Sequence, residues 1–234
     1  MGVESALFRL EGGEIKHMSA KETSCEHEWD YNIPPWEPRT EGTCLLCGKI
    51  FRDMEHYVIM LTKDNDFITD VLDVGSGLKG PVAQHYWESV KNIQRGYICD
   101  IWKLKPMSSL WVPLKMDALD LFDVLDEDSV DVVQAFGFLE HLEKEDGLKF
   151  LEIAEKLAID LVIVSAAICI HSSPIPGECG DDPDYKVKID GNPYHRYNSN
   201  WMWDEFEELG FTSNWDDAKK ADSFTLEAIA WKVL

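Results

Sequence analysis

The chain has 234 residues, enough for one α/β domain with a full hydrophobic core and a small appendage. Its 44 acidic and 22 basic side chains give a formal charge of −22, which repels a phosphate backbone, so nucleic acid is a disfavoured partner. No stretch has the ~20 apolar residues of a membrane span, and the first residues do not resemble a secretory signal. We therefore expect a cytoplasmic protein without membrane contact.

Residues 1–57 carry clustered cysteines and histidines with little periodicity, and we predict a loop-rich segment there. Cys25 and His27 are followed by Cys44 and Cys47, and the Cys-x-x-Cys-Gly turn directs two thiolates at one Zn²⁺. Four protein ligands leave no position for water, so the predicted zinc is structural. The alternative is four unrelated reduced side chains.

The remainder of the chain, 58–234, is predicted to be a second domain. From about residue 69 onward, short β-branched runs alternate with amphipathic stretches, which predicts a parallel sheet covered by helices on both faces. The predicted strands are 70–74, 95–100, 111–116, 129–135, 161–165, 211–215 and 223–233, and the predicted helices are 81–93, 143–158 and 200–209. The last strand suits an antiparallel hairpin at the sheet edge.

A glycine-rich loop follows the first strand, in the sequence Asp73-Val74-Gly75-Ser76-Gly77-Leu78-Lys79-Gly80. Glycines there allow a tight turn and a close approach of the backbone to a cofactor. Asp100 ends the next strand, about 20 residues beyond Gly80, where a carboxylate can accept hydrogen bonds from ribose hydroxyls. Asp117 follows the third strand and can accept from an adenine amino group. Either acid alone is equally consistent with a solvated strand end, but together with the loop they predict an adenosine-containing cofactor.

Two segments carry a family resemblance. Val71-Leu72-Asp73-Val74-Gly75-Ser76-Gly77 resembles the first motif of class I S-adenosylmethionine-dependent methyltransferases, and 131–142 is similar to their fourth-strand motif ending in Leu-Glu-His. The resemblance covers about 58–234 and implies a Rossmann-like, seven-stranded, mostly parallel sheet with an antiparallel terminal strand. It also implies that Asp73 lies near the methionine amino group and that 134–138 borders the methyl group. Nicotinamide-binding domains usually carry a small or apolar residue at the position of Asp73, which disfavours that class.

The residues predicted to bind S-adenosylmethionine lie at the ends of the first four strands. They are Asp73, Gly75, Ser76, Gly77, Asp100, Ile101, Asp117, Ala118 and Gln134. The position after the fourth strand reads Gln134-Ala135-Phe136-Gly137, unlike the (Asp/Asn)-Pro-Pro-(Tyr/Phe) tetrad of amino-methylating DNA enzymes, and the chain has no Pro-Cys dipeptide of the cytosine-C5 enzymes. The predicted acceptor is therefore a small molecule, a sugar or lipid intermediate, or a protein side chain.

The segment 171–199 separates the fifth strand from the last helix and is longer than structureless loops usually are. Because it leaves the sheet beside the predicted cofactor site, we predict a mobile lid that recognises the acceptor. His141, His195 and Arg196 are the predicted catalytic residues, His171 is a further candidate base and Glu140 a weaker one. For each histidine the alternative is a packing role, and for Arg196 it is a salt bridge to local acids rather than a clamp on an anionic acceptor.

Two other functional classes remain open. One is a zinc-containing adaptor protein with a vestigial methyltransferase fold, which the retained Asp73, Asp100 and Asp117 disfavour; the other is a nicotinamide-dependent oxidoreductase, which Asp73 and the terminal hairpin disfavour. Among the remaining cysteines, Cys99 is expected to be buried and unreactive. Cys169 and Cys179 have no activating context.

Overall fold

The computed structural model describes residues 8–11, 14–17, 29–30, 41–44, 50–52, 54–77, 80–104, 108–167, 184, 187, 191–214 and 227–234. Among the described residues, five short strands precede the first described helix: β1 (Phe8–Glu11), β2 (Glu14–His17), β3 (Trp29–Asp30), β4 (Glu41–Cys44) and β5 (Ile50–Arg52). β1 and β2 form an antiparallel pair, and β3, β4 and β5 form a small antiparallel sheet. These strands are too short to show a two-residue alternation, so the sequence pattern predicts only loops.

The main sheet has seven strands: β6 (Asp70–Val74), β7 (Arg95–Cys99), β8 (Trp111–Leu114), β9 (Val130–Ala135), β10 (Ala158–Ala167), β11 (Thr212–Ser213) and β12 (Glu227–Val233). Their order across the sheet is β8-β7-β6-β9-β10-β12-β11, and β12 is antiparallel to both of its neighbours. The predicted seven-stranded, mostly parallel sheet with an antiparallel terminal strand is confirmed. The insertion of β12 between β10 and β11 departs from the all-parallel 3-2-1-4-5-6 order of dinucleotide-binding domains.

Four helices are described: α1 (Met54–Thr62), α2 (Gln84–Ser89), α3 (Lys144–Leu157) and α4 (Trp203–Glu208). α3 and α4 lie within the predicted 143–158 and 200–209. α1 was not predicted; it runs across the expected domain boundary at 57/58, and its Tyr57 and Val58 are buried in the core. α2 is shorter than the predicted 81–93 at both ends: Val82 bonds to buried side chains of the sheet instead of entering the helix, and Val90 ends the helix with an extended backbone.

The core consists of two apolar clusters, and their separation follows from strands with apolar side chains on both faces. β6 buries Val71 in one cluster and Leu72 in the other. α3 contributes Phe150 and Leu157 to the second cluster, as its helical spacing predicts. Within the described ranges, no helix combines the length and the apolarity needed to cross a membrane.

Candidate functional site

A crevice of about 250 Å³ opens at the carboxyl edge of the main sheet. It lies where the chain leaves the adjacent strands β6 and β9, at which the direction of strand order in the sheet reverses. Open α/β sheets bind their ligands at such a switch point. Its wall is built from the ends of β6 to β9 and from the segment 192–198. The lining residues are Val74, Gly75, Cys99, Asp100, Ile101, Met116, Asp117, Ala118, Gly137, Phe138, His141, Leu142, Asn192, Pro193, Tyr194, His195, Arg196 and Asn198.

Gly75 sits at the floor of the crevice in a conformation that requires glycine. Its φ is +79°, and a Cβ there would come within 2.9 Å of the Phe138 ring. Gly75 N donates to Cys99 O at 2.8 Å, which ties the glycine loop to the end of β7. The loop therefore brings backbone, rather than side chain, to the crevice, as the glycine spacing predicts.

Asp100 is held in place by two backbone amides. Its Oδ2 accepts from Gly77 N at 2.9 Å and its Oδ1 accepts from Trp102 N at 2.6 Å. A carboxylate oxygen has two lone pairs, so each oxygen retains one for a ligand. Asp117 Oδ1 caps the following 3₁₀ turn by accepting from Leu119 N at 3.0 Å. Both predicted carboxylates thus line one crevice in fixed orientations.

Asp73 lies beneath the loop rather than on the crevice wall. It is 3% exposed, and its carboxylate accepts hydrogen bonds from Ser76 Oγ, Gln134 Nε2 and Val82 N. Burial raises the pKa of Asp73 to about 6, while hydrogen bonds from these three groups oppose the rise. Trp87 Nε1 donates to Gln134 Oε1 at 3.1 Å and completes the network.

Four of the predicted cofactor-binding residues, Asp73, Ser76, Gly77 and Gln134, are therefore absent from the described crevice lining. The structure gives them a supporting position: three join the buried network, and Gly77 donates to Asp100. Their direct contact with a cofactor stays a prediction.

The described end of the predicted lid is bonded to the loop that follows β9. Asn198 N and Ser199 N donate to Glu140 O at 2.8 and 3.2 Å, and Asn198 Nδ2 donates to His141 O at 2.9 Å. Ser199 Oγ donates to Leu139 O at 3.0 Å. Residues 191–201 thus form a wall bonded to this loop, and the mobility of the predicted lid stays a prediction. Most of the segment 171–190 lies outside the described residues, and so do His171, Cys169 and Cys179.

The three predicted catalytic residues are brought together at the crevice, where His195 and Arg196 lie on this wall and His141 contacts it from the turn after β9. The His141 ring stacks on the His195 ring, with centroids 5.1 Å apart and planes 23° apart. His141 Nδ1 is 3.0 Å from Arg196 O, and the Arg196 guanidinium is 3.5 Å from the Asp184 carboxylate. All three residues line the same crevice as Asp100 and Asp117.

Cys99 lies at the floor of the crevice and is 0% exposed. Burial raises the pKa of its thiol to about 12, so the thiol stays protonated and is a poor nucleophile. The expectation that Cys99 is buried is confirmed.

The zinc prediction falls almost wholly outside the described residues. Cys25, His27 and Cys47 are not among them, and Cys44 is described only as the last backbone position of β4. In the described part of the chain, no group of three or more His, Cys, Asp or Glu side chains could hold a metal ion. A structural zinc stays a prediction.

Three features of the site were not predicted from the sequence. They are the hydrogen bond between Trp87 and Gln134, the ring contact between Trp102 and Tyr194, and the position of Leu142 in the crevice lining. Trp102 follows a strand-end acid by two positions, and an aromatic residue there is a usable signal. The link from Trp87 spans two distant segments, and no local pattern encodes it.

The donor set fits an adenosine-containing cofactor. Carboxylates at the ends of β7 and β8 suit the ribose hydroxyls and the adenine amino group, while Gly75 and Gly137 present backbone beside them. Gly137, with φ +58°, is fixed by a hydrogen bond from its N–H to Ser165 Oγ at 3.0 Å.

Comparison with known proteins gives distant structural likeness only. No family model and no curated protein sequence matches the chain. Among solved structures, the chain is similar to a putative methyltransferase in complex with the Trm112 activator from Haloferax volcanii, with 16% identity over 70% of this chain and 81% of that one, and a TM-score of 0.47. It is similar to a SAM-dependent methyltransferase from Archaeoglobus fulgidus, with 14% identity over 76% and 92% of the two chains, and a TM-score of 0.44. It is also similar to magnesium protoporphyrin IX methyltransferase from Synechocystis PCC 6803 with bound SAH, with 14% identity over 76% of this chain and 80% of that one, and a TM-score of 0.46.

Proposed function

We propose that this chain is an S-adenosylmethionine-dependent methyltransferase. The observation that carries the proposal is that Gly75, Asp100 and Asp117, which leave three neighbouring strands, line one crevice at the switch point of the sheet. The acidic Asp73 before the glycines and the antiparallel β12 support a methyltransferase over a nicotinamide enzyme.

Methyl transfer is an in-line displacement at a sulfonium carbon, so the enzyme must mainly align the acceptor and exclude water. Asp100 and Asp117 would hold the adenosine, and the wall formed by 192–198 would face the acceptor. His141, His195 and Arg196 are the proposed acceptor-side residues. The acceptor is a small molecule, a sugar or lipid intermediate, or a protein side chain.

We also propose that a structural zinc, held by Cys25, His27, Cys44 and Cys47, stabilises the segment before the α/β domain. The charge of −22 supports a partner other than nucleic acid.

Calorimetric titration of the purified chain with S-adenosylhomocysteine (SAH) and, separately, with NAD tests the proposal. We expect SAH to bind at one site per chain and NAD to give no heat of binding. Binding of NAD without SAH would support the oxidoreductase, and binding of neither would support the adaptor protein; both results contradict the proposal.

A further inference from the structure

The side chain of Gln134 is held in one orientation by two partners that cannot exchange roles. Trp87 Nε1 can only donate, so the Gln134 atom 3.1 Å from it is the amide oxygen. The carbonyl oxygen of Val82 can only accept, so the atom 2.9 Å from it is the amide nitrogen. The side chains of Trp87 and Gln134 are fully buried, so bulk water does not compete for these bonds. Gln134 therefore presents its N–H group to its third partner, Asp73.

This orientation of the amide suits the ionised form of Asp73. The carboxylate accepts three hydrogen bonds, from Gln134 Nε2, Ser76 Oγ and Val82 N. In the reversed orientation, the amide oxygen would face the carboxylate with no hydrogen between the two oxygens. The three donors stabilise the ionised form, whereas burial disfavours it.

The described titratable groups that act on Asp73 lie at the end of β7. Asp100 carries the same charge and disfavours the ionised form of Asp73. Cys99 keeps its proton, because burial raises the pKa of its thiol to about 12. On the other side of β6, the strand β9 contributes the neutral Gln134, which Trp87 of α2 contacts. The neutral donors are therefore what the structure describes in support of the Asp73 charge.

The same network reaches the crevice through Ser76. Ser76 Oγ donates to the carboxylate and also to the backbone oxygen of Asp73, at 3.2 Å in the second case. Ser76 lies between two glycines whose amides bond to the end of β7, since Gly75 N donates to Cys99 O and Gly77 N donates to an Asp100 oxygen. The position of the Asp73 carboxylate is thus linked to the loop that lines the crevice.

The chain enters α2 through a strained residue. Ala83 is buried and has a φ of +58°, in the left-handed region that residues other than glycine rarely adopt. Val82 before it is held at both backbone groups, by Asp73 and by Gln134. Trp87 lies one turn further along, where its N donates to Ala83 O at 3.0 Å. Such strain persists only where neighbouring contacts hold it, so these bonds join the start of α2 to the network beneath the loop.

We propose that Trp87 is a positioning residue for the cofactor site, acting through Gln134 on Asp73. Its bond to the amide oxygen holds the amide N–H group on the carboxylate, and the carboxylate holds the glycine loop in the conformation that binds the cofactor. The inference rests on the proposed function and gives a part in it to a residue that is absent from the described crevice lining. Trp87 itself touches neither the cofactor nor the acceptor.

Carbon-13 NMR of the carboxyl groups tests the link from Trp87 to Asp73 without a ligand. Trp87→Phe keeps an aromatic ring and removes the N–H donor, and the Asp73 signal is identified by its absence from Asp73→Asn. The indole donor polarises the amide and strengthens its bond to the carboxylate, so we expect Trp87→Phe to raise the pKa of Asp73 above its value of about 6. Loosened packing alone would admit water and lower that pKa.

The matched control is Trp111→Phe. Trp111 is also buried, and its Nε1 donates at 3.2 Å to Glu88, a residue of the same helix as Trp87 but outside the network. This variant should leave the pKa of Asp73 unchanged. In the wild-type chain, which needs no substitution, the indole N–H signal of Trp87 should move at the pH at which Asp73 titrates, and the signal of Trp111 should not.

Isothermal titration with SAH tests the effect on the cofactor site. We expect Trp87→Phe to weaken SAH binding at least about threefold, because a buried amide oxygen loses its partner, and Trp111→Phe to bind like wild type. Gln134→Met removes the amide from a side chain of similar length. In that background, Trp87→Phe should cause no further loss of SAH affinity if it acts through Gln134.

A lowered or unchanged pKa of Asp73 in Trp87→Phe would overturn the inference. So would a Trp87 indole signal that does not follow Asp73, equal SAH affinities of Trp87→Phe and Trp111→Phe, or an equal effect of Trp87→Phe with and without the Gln134 amide. Failure of the wild-type chain to bind SAH contradicts the proposed function instead. SAH binding that is indifferent to Trp87 contradicts only the positioning role.

Discussion

Replacing Asp100 with alanine removes the carboxylate that we expect to bind the ribose. The carboxylate would accept two hydrogen bonds from ribose hydroxyls, one on the remaining lone pair of each oxygen. Hydrogen bonds to a charged group contribute more than neutral ones, so the loss should weaken SAH binding by roughly 1.5 to 3 kcal/mol. This corresponds to an increase of about 10- to 150-fold in the dissociation constant.

The structure adds a second consequence of this substitution. Asp100 also accepts from Gly77 N and Trp102 N, so alanine leaves two backbone amides without their partner. Asp100→Asn retains the size of the side chain but only one accepting oxygen, so it removes the charge and keeps one of the two amide contacts that alanine removes. Asp126→Ala, at an exposed position away from the crevice, is the matched control.

Isothermal titration with SAH, combined with thermal unfolding of each variant, measures both effects. We expect Asp100→Ala and Asp100→Asn to weaken SAH binding and Asp126→Ala to bind like wild type. If SAH affinity is unchanged in a folded Asp100→Ala variant, the reasoning that places the ribose at the end of β7 is refuted.

Four further predictions concern the acceptor wall, the zinc, the buried acid and the packing of α3. His195→Ala and Arg196→Ala should keep SAH affinity within about threefold, a difference in binding free energy below roughly 1 kcal/mol. They should lower the rate of methyl transfer about tenfold or more, because both residues line the part of the crevice that we assign to the acceptor. Loss of SAH binding in both variants would place the segment in the cofactor pocket. Elemental analysis of protein purified without chelator should give one zinc per chain and none in Cys44→Ser/Cys47→Ser, and zinc retained in that variant would contradict the ligand set. Because burial raises the pKa of Asp73 from its ordinary 3.8 to about 6, its protonated form favours the fold below pH 4, and this contribution is lost as pH rises through 6. The free energy of unfolding of Asp73→Asn relative to wild type should therefore rise by about 2 to 3 kcal/mol from pH 4 to pH 7 in urea titrations, and a constant difference would argue against the raised pKa. Gly147→Ala would place a Cβ 2.5 Å from the Trp201 ring, so we expect the free energy of unfolding to fall by about 1 to 3 kcal/mol despite the better helix propensity of alanine. Chemical denaturation measures the change, and Leu148→Ala is the exposed control. A gain in stability would show that the ring moves freely.

The sequence predicts strand positions well for strands that are buried on both faces of the sheet. Asp70–Val74 is observed at its predicted bounds, and 129–135 differs from Val130–Ala135 by one residue. The carboxylates at the ends of β7 and β8 were predicted from the same pattern, because the carboxyl ends of parallel strands meet at one edge.

The interior of the site could not be derived in this way. Asp73 and Gln134 come from different strands, and their hydrogen bond depends on the register of β6 and β9, in which Asp73 is paired with Gln134. The helix α1 was not predicted, because it directly follows a segment whose sequence has no helical or strand periodicity. Asn198 and Ser199 bond to backbone carbonyls 57 to 60 residues away in sequence, as in the contacts to His141 and Leu139, and no local pattern in the sequence predicts these contacts.

A crystal structure of the chain with SAH bound tests the central claim most directly. The account predicts the adenosine in the crevice between Asp100 and Asp117, with both ribose hydroxyls within hydrogen-bond distance of Asp100 and the homocysteine portion beside Gly75. SAH bound at another site, or bound in the crevice with its ribose away from Asp100, would contradict the account.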